Sequence, residues 1–363
     1  MTKALLLGLI TFFLVFLVII LLEIIGGTYS ERKWFQTIPL NLLRDCKINL
    51  EENQNGSFSK GTYSRDKYGL RGDYGEPREI NILTMGGSTT NQKYIPDGFT
   101  FQDLLQARIS EQNGKKIKIA NAGVEGHSTF AHLESLKKWF PLIPELNPKY
   151  VLLYIGINDA GFRDQKNINH DFSAHGNKIW KFKRFLRSFS KSYGIARTIR
   201  NHFFPLKKGP AFASHQYALP SHFQYEVNEL ATDITNLIEN NSEHFEKRLR
   251  SILIEIKKMG ATPILITQPH LFVKSIEGIN FGIKNVFQHQ GIEFSGLDFD
   301  ASLNAISEVM KNLSKEFDGI FIDLKNKEFT EKDFYDCVHM TKQGVKRVAD
   351  YIFREFMEKR VEF

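Results

Sequence analysis

Five short, predominantly apolar runs recur along this chain, at 80–85, 117–120, 150–155, 262–267 and 320–324. Between and after them lie longer segments with helical patterning, at 101–111, 129–139, 226–258, 301–316 and 343–359. A strand without polar alternation cannot leave one face in water, so strands of this kind pair in parallel and are covered on both faces by the intervening helices. The order strand, helix, strand therefore predicts an α/β domain built on a parallel five-stranded sheet with helices on both faces. Open sheets of that kind bind ligands just beyond the carboxyl ends of their strands. The residues that follow each run are the ones to read for chemistry.

Those residues are small or polar. The first run stops at Gly86-Gly87-Ser88. The second leads into "NAGVEGHST" (121–129), the third into "GINDAGF" (156–162), and the last into "FYDCVHMTKQG" (334–344). Together they supply a hydroxyl (Ser88), the glycines Gly123 and Gly126, a carboxamide (Asn158), and a carboxylate and imidazole three residues apart (Asp336, His339). A serine hydroxyl needs a base to become a nucleophile, and an imidazole acts as one near neutral pH. A carboxylate on the other ring nitrogen fixes the tautomer and stabilises the imidazolium. Donors for a tetrahedral oxyanion are the N–H groups of Ser88 and Gly126 and the side-chain amide of Asn158. Each motif alone reads equally well as a turn or a helix cap. Four of them in order, each after a strand, are what give the chemical reading its force.

With these motifs in place the chain resembles the SGNH (GDSL-like) hydrolases, in particular their membrane-anchored bacterial type. Ser88, Gly126, Asn158 and His339 match that family's four namesake residues. Its Gly-x-Asn-Asp block matches Gly156, Asn158 and Asp159, and its Asp-x-x-His block matches Asp336 and His339. The likeness runs over about 79–162 and 261–358. It implies a flavodoxin-like three-layer fold, a serine esterase or acylhydrolase working through an acyl-serine intermediate, and no cofactor. Its expected partner is an acyl-ester substrate, an O-acetylated glycan or a lipid among the candidates. Gly87 stands where the family has Asp, and Thr89 where it has Leu, so the triad carries over and lipase preference does not. Two alternatives remain beside hydrolysis: an O-acyltransferase acting on a cell-surface glycan with the same triad, and a non-catalytic envelope scaffold on the same fold. Other nucleotide or hydrolase signatures are missing: Ser88 lacks the glycine two residues on that an α/β-hydrolase elbow carries, and no Gly-Lys-Ser/Thr follows to make a phosphate loop. His127, His132 and His170 are not at zinc spacing with Asp336 and His339, so no metal is expected.

Residues 4–25 form a near-unbroken apolar run. As a helix it would extend about 33 Å, enough for the hydrocarbon core of a bilayer. Lys3 before it favours a cytoplasmic N-terminus, and the absence of a small-x-small site disfavours a cleaved signal. The expected organisation is a transmembrane anchor at 4–25, a stalk and lead-in at 26–78, and the hydrolase domain at 79–363 outside the cytoplasm, periplasmic or extracellular. A basic insertion is expected at about 163–225. From 172 to 225 there are ten Lys or Arg and no Asp or Glu, more than the whole net charge of +7, so the rest of the chain is net negative. So local a basic segment argues against nucleic acid and for either a solvated helix face or, over 178–208, contact with an anionic membrane. The only two cysteines, Cys46 and Cys337, are the candidate for a disulfide, two unrelated thiols being the alternative.

Overall fold

The computed structural model describes residues 7–8, 10–18, 42–51, 60–161, 223–226, 230–231, 234–284, 286–289 and 292–363. The chain divides into two compact units, one of 1–39 with 173–206 and one of 40–172 with 207–363. Of the first, 7–8 and 10–18 are helical with exposed apolar side chains, among them Phe12 and Phe13. Among the described residues no helix is long and apolar enough to cross a membrane. The rest of the expected anchor, the stretch between it and residue 42, and the basic segment at 163–222 lie outside the described residues.

The second unit opens with an antiparallel hairpin, β1 (Cys46–Leu50) and β2 (Gly61–Arg65). The segment read as stalk and lead-in is therefore folded over this part. Its period-two pattern is short but regular: Cys46, Ile48 and Leu50 are buried with Tyr63, while Lys47 and Asn49 face water.

Next come four of the five expected strands: β3 (Ile82–Gly86), β4 (Ile119–Asn121), β5 (Tyr150–Tyr154) and, after a two-residue strand β6 (Tyr225–Glu226) that belongs to another sheet, β7 (Thr262–Ile266). Two small antiparallel pieces follow, β8 (Val273–Ile276) with β9 (Ile279–Ile283), and β10 (Phe287–His289) with β11 (Ile292–Phe294). The last central strand is β12 (Ile320–Ile322). The main sheet runs β12-β7-β5-β3-β4, all parallel. The chain leaves β3 for β4 on one side and returns to β5 on the other. That reversal makes the carboxyl ends of β3 and β5 the switch point where such sheets bind ligands.

Among the described residues of this unit, the α-helices are α1 (Ser88–Asn91), α2 (Phe101–Asn113), α3 (Thr129–Glu134, continued by a wider turn over Ser135–Trp139), α4 (Ile157–Ala160), α5 (Ile234–Lys258), α6 (Gly296–Glu316) and α7 (Lys342–Glu358). Each long helix shows why it forms. Val345, Val348, Ala349, Ile352 and Phe356 of α7 recur at three- and four-residue spacing and are all buried, as are Phe245, Leu249, Ile252, Leu253 and Ile256 of α5. Thr100, Ser295 and Thr341 cap their helices through side-chain oxygens. Core truncation of the Phe356 type costs about 3–5 kcal/mol. The helix expected at 226–258 is α5, which begins at Ile234, because Tyr225 and Glu226 pair with β9 instead.

Candidate active site

The base comes from a loop that folds on itself. Phe334 and Met340 pair as an isolated bridge, the Tyr335 N–H donates to the His339 carbonyl at 3.0 Å, and the Thr341 N–H donates to the Asp333 carbonyl at 2.9 Å. Inside that loop the Asp336 carboxylate accepts three bonds. Its Oδ1 takes the Val338 N–H (2.8 Å) and the His339 N–H (2.7 Å), and its Oδ2 lies 2.7 Å from His339 Nδ1. A proton on Nδ1 satisfies that contact, which leaves Nε2 as an acceptor. Nε2 lies 2.7 Å from Ser88 Oγ. Asp336 and His339 are both buried, and the Tyr335 ring stacks on the imidazole, 5.5 Å between centroids and 8° between planes. Tyr94 meets Tyr335 edge-on at 5.8 Å.

The glycines before Ser88 are there for closeness. A Cβ on Gly86 would lie 2.0 Å from Thr90 Oγ1 and 2.4 Å from the Tyr154 carbonyl, and one on Gly87 would lie 2.4 Å from Asn158 Nδ2. Only residues without a side chain let strand β3 end directly against β5 and the Asn158 carboxamide of α4. Ser88 opens α1, so its own N–H has no partner within that helix. Gln268, just after β7, donates to Thr89 Oγ1 and accepts from the Ile157 N–H at 2.9 Å. One side chain thus joins the serine turn to the turn that carries Asn158.

The third part is the loop after β4. The Val124 N–H donates to the Gly86 carbonyl (3.0 Å), and a Cβ on Gly123 would lie 2.4 Å from the Asn91 nitrogen. The His127 N–H closes a turn on the Val124 carbonyl at 3.2 Å, with Gly126 at φ +74°, a conformation that favours glycine. Glu125 is held by Asn91 Nδ2 at 2.7 Å and by the Lys93 ammonium at 3.4 Å. Asn158 Nδ2 donates to the His127 carbonyl at 2.9 Å, which spends one of its two amide hydrogens and fixes the carboxamide. The loop carrying Gly126 is thereby tied at one side to α1 and at the other to Asn158.

The structure thus brings Ser88, His339 and Asp336 into one hydrogen-bonded relay and sets Asn158 beside Gly87 and the Gly126 loop. Sequence reading missed what holds them. Arg65 of β2 donates through Nη2 to Asn91 Oδ1 (2.6 Å) and to the Gly123 carbonyl, and through Nη1 to the Gly69 carbonyl (2.6 Å). Arg71 donates through Nη1 to the Asn91 (2.8 Å) and Gln92 (3.0 Å) carbonyls and pairs with Asp97 at 2.8 Å. Both guanidinium groups are buried, in the segment whose composition reads as a stalk. Arginine, with five donors and a delocalised charge, is the basic side chain suited to such sites. A polar lead-in rich in Arg and Tyr just before the first central strand was the available signal.

The disulfide is a correction. No bond joins Cys46 to Cys337; both carry thiols. Cys46 alternates with Ile48 and Leu50 on the buried side of the hairpin, while Cys337 belongs to the base loop, its carbonyl accepting the Leu271 N–H at 2.8 Å. Burial, then the neighbouring Asp336 carboxylate, push the Cys337 thiol up to about 12, so it is a poor nucleophile at neutral pH. His132 lies buried beside His127, and burial holds its imidazole well below the ordinary range, so it is neutral. Among the described residues no group of three His, Cys, Asp or Glu could hold a metal ion.

No family model matches the chain, and no curated protein does. Solved structures with a similar trace include a variant of an acetyl xylan esterase from Geobacillus stearothermophilus, at 14% identity and TM-score 0.41 over 78% of this chain and 95% of that one. Others are a lipase/acylhydrolase from Enterococcus faecalis (15%, 0.40, 77% and 97%) and a GDSL-like lipase from Bacteroides thetaiotaomicron (11%, 0.38, 80% and 93%). At such scores none of these likenesses carries weight alone, and the functional reading stands on the geometry of the site.

Proposed function

We propose that this chain is a serine ester hydrolase of the SGNH type. The observation that carries the reading is the relay Ser88 Oγ, His339 Nε2, His339 Nδ1, Asp336 Oδ2, with 2.7 Å at both hydrogen bonds. Ser88 Oγ attacks the ester carbonyl as its proton passes to Nε2. The new imidazolium is held by Asp336 and stacked on Tyr335. The oxyanion meets the Ser88 and Gly126 amides and the second hydrogen of Asn158 Nδ2. His339 returns the proton to the leaving alcohol. Water, deprotonated by the same base, then releases the acid from acyl-Ser88. An acyl ester, such as an O-acetyl group on a surface glycan, is the proposed substrate class.

The proposed setting is extracytoplasmic, with an N-terminal membrane anchor. What supports it is the apolar run at 4–25 and the exposed apolar side chains of its helical residues. A fluorophosphonate probe tests the enzymatic reading. It should label the full chain at Ser88, and Ser88→Ala should abolish labelling; a wild-type protein that neither labels nor cleaves short acyl esters would refute it.

A further inference from the structure

One buried network behind the site has no part in the relay. Asp159 directly follows Asn158, and its side chain is 1% exposed. It accepts the Thr129 N–H at 3.1 and 3.2 Å through its two oxygens, and the Thr129 hydroxyl as well. Thr129 Oγ1 in turn accepts from Arg248 Nε at 2.6 Å, and Arg248 Nη2 lies 3.5 Å from Asp159 Oδ1. The guanidinium rests over the Phe130 ring, 4.2 Å from its centroid. Helix α5 also sends Asn241 Nδ2 to the Asp159 carbonyl at 2.9 Å.

The topology of these bonds gives them their meaning. Asn158 to His127 and Asp159 to Thr129 are two rungs between the short helix α4 and the segment that leads into α3, one residue apart on the first side and two on the other. The first rung orients the carboxamide. The second decides where the loop carrying Gly126 and His127 stands relative to Asn158. Because Arg248 Nε donates to Thr129 Oγ1, the hydroxyl hydrogen must point at Asp159. The same guanidinium is the counter-charge for a carboxylate that is otherwise shut away from water, where an unpaired anion is costly.

We propose that Arg248 is a positioning residue for the oxyanion hole: acting through Thr129 and Asp159, it sets the distance between the Asn158 amide and the Gly126 loop. It touches neither substrate nor the reacting atoms. A hole displaced by a fraction of an ångström still admits the ester but meets the tetrahedral oxyanion poorly. The loss should therefore appear in kcat and not in KM. This inference rests on the hydrolase reading.

The test compares the full-length wild type with Arg248→Met and Thr129→Val, using a short acyl ester, a trifluoromethyl ketone analogue of the tetrahedral state, and fluorophosphonate titration to count active sites. For both variants kcat per titrated site should fall roughly 10–100-fold, the scale of a small misplacement. KM should stay within about twofold, and ketone affinity should fall in step with kcat. Arg248→Lys should recover part of the loss. A folded Arg248→Met with unchanged kcat per site and unchanged ketone affinity would overturn the proposal, as would a loss confined to KM. Should Arg248→Met not fold, Thr129→Val, which removes only a hydroxyl, decides on the same readouts. Wild-type protein that does not turn over esters would sink the hydrolase reading and this inference with it. Active wild type with indifferent variants would sink the inference alone.

Discussion

The two sides of the site are built in opposite ways. On the base side everything is local: Asp336 and His339 are three residues apart, and the same carboxylate that orients the imidazole also closes the turn around it. On the oxyanion side almost nothing is local. Asn158 reaches back to His127, Gln268 reaches Thr89, Arg65 reaches Gly123, and Arg248 reaches Thr129. A local device survives in isolation and can be seen in a short motif. A distributed one depends on where three strands and a helix stop, so its weakness lies in residues far from the chemistry.

The largest effects should come from breaking the local side. His339→Ala should lower kcat by about 10⁶-fold, the scale seen when a triad acts as a unit. Asp336→Asn should cost about 10⁴-fold, because a carboxamide keeps an acceptor for the turn but not the tautomer. Asp336→Ala should add a stability loss, since the Val338 and His339 amides then lose their shared acceptor. Thermal melts beside the kinetics separate those two roles. Equal melting temperatures for the Asn and Ala variants would remove the turn-closing role.

On the distributed side Asn158→Ala should lower kcat by about 10²–10³-fold with KM little changed. Asn158→Asp should be no better, because it sets an anion beside an anion. A change confined to KM would take Asn158 out of the oxyanion hole.

This contrast also explains what could be read in the sequence. The five central strands were legible because burial on both faces leaves a predominantly apolar run, and their order in the chain carried Ser88, Asn158 and His339 to one edge. Asp336 and His339 were legible because their contact is local. Arg65, Arg71 and Arg248 were not. A buried arginine looks like a surface one until its acceptors are known: those of Arg65 and Arg71 include backbone carbonyls, which no side-chain pattern records, and those of Arg248 lie more than eighty residues away in the chain. The β1/β2 hairpin was lost for a similar reason: its apolar set is Cys46, Ile48, Leu50 and Tyr63, too few to stand out from a polar lead-in. The cysteine pair misled because parity says nothing about which face of a strand a thiol occupies.

Two smaller effects sharpen the same comparison. Arg65→Met should destabilise the folded unit by a few kcal/mol, as the buried Gly69 and Gly123 carbonyls lose this donor at about 1–3 kcal/mol each at most, while Asn91 Oδ1 keeps the Tyr63 hydroxyl. Chemical denaturation measures it, and an unchanged midpoint would show that the hairpin does not brace the serine turn. The smallest effect expected is none at all. Reductant should leave both activity and melting temperature unchanged, because no disulfide links Cys46 to Cys337. A fall in either would reopen that bond.

The central claim is that the relay ending at Ser88 does covalent chemistry, and trapping the intermediate tests it most directly. A short acyl ester mixed with the full chain, quenched in acid within the first turnover and mapped by peptide mass spectrometry should place the acyl group on Ser88. The trapped fraction should rise in Asn158→Ala if deacylation suffers more than acylation. Ester turnover with no acyl group on Ser88, or with the acyl group on another residue, would contradict the account.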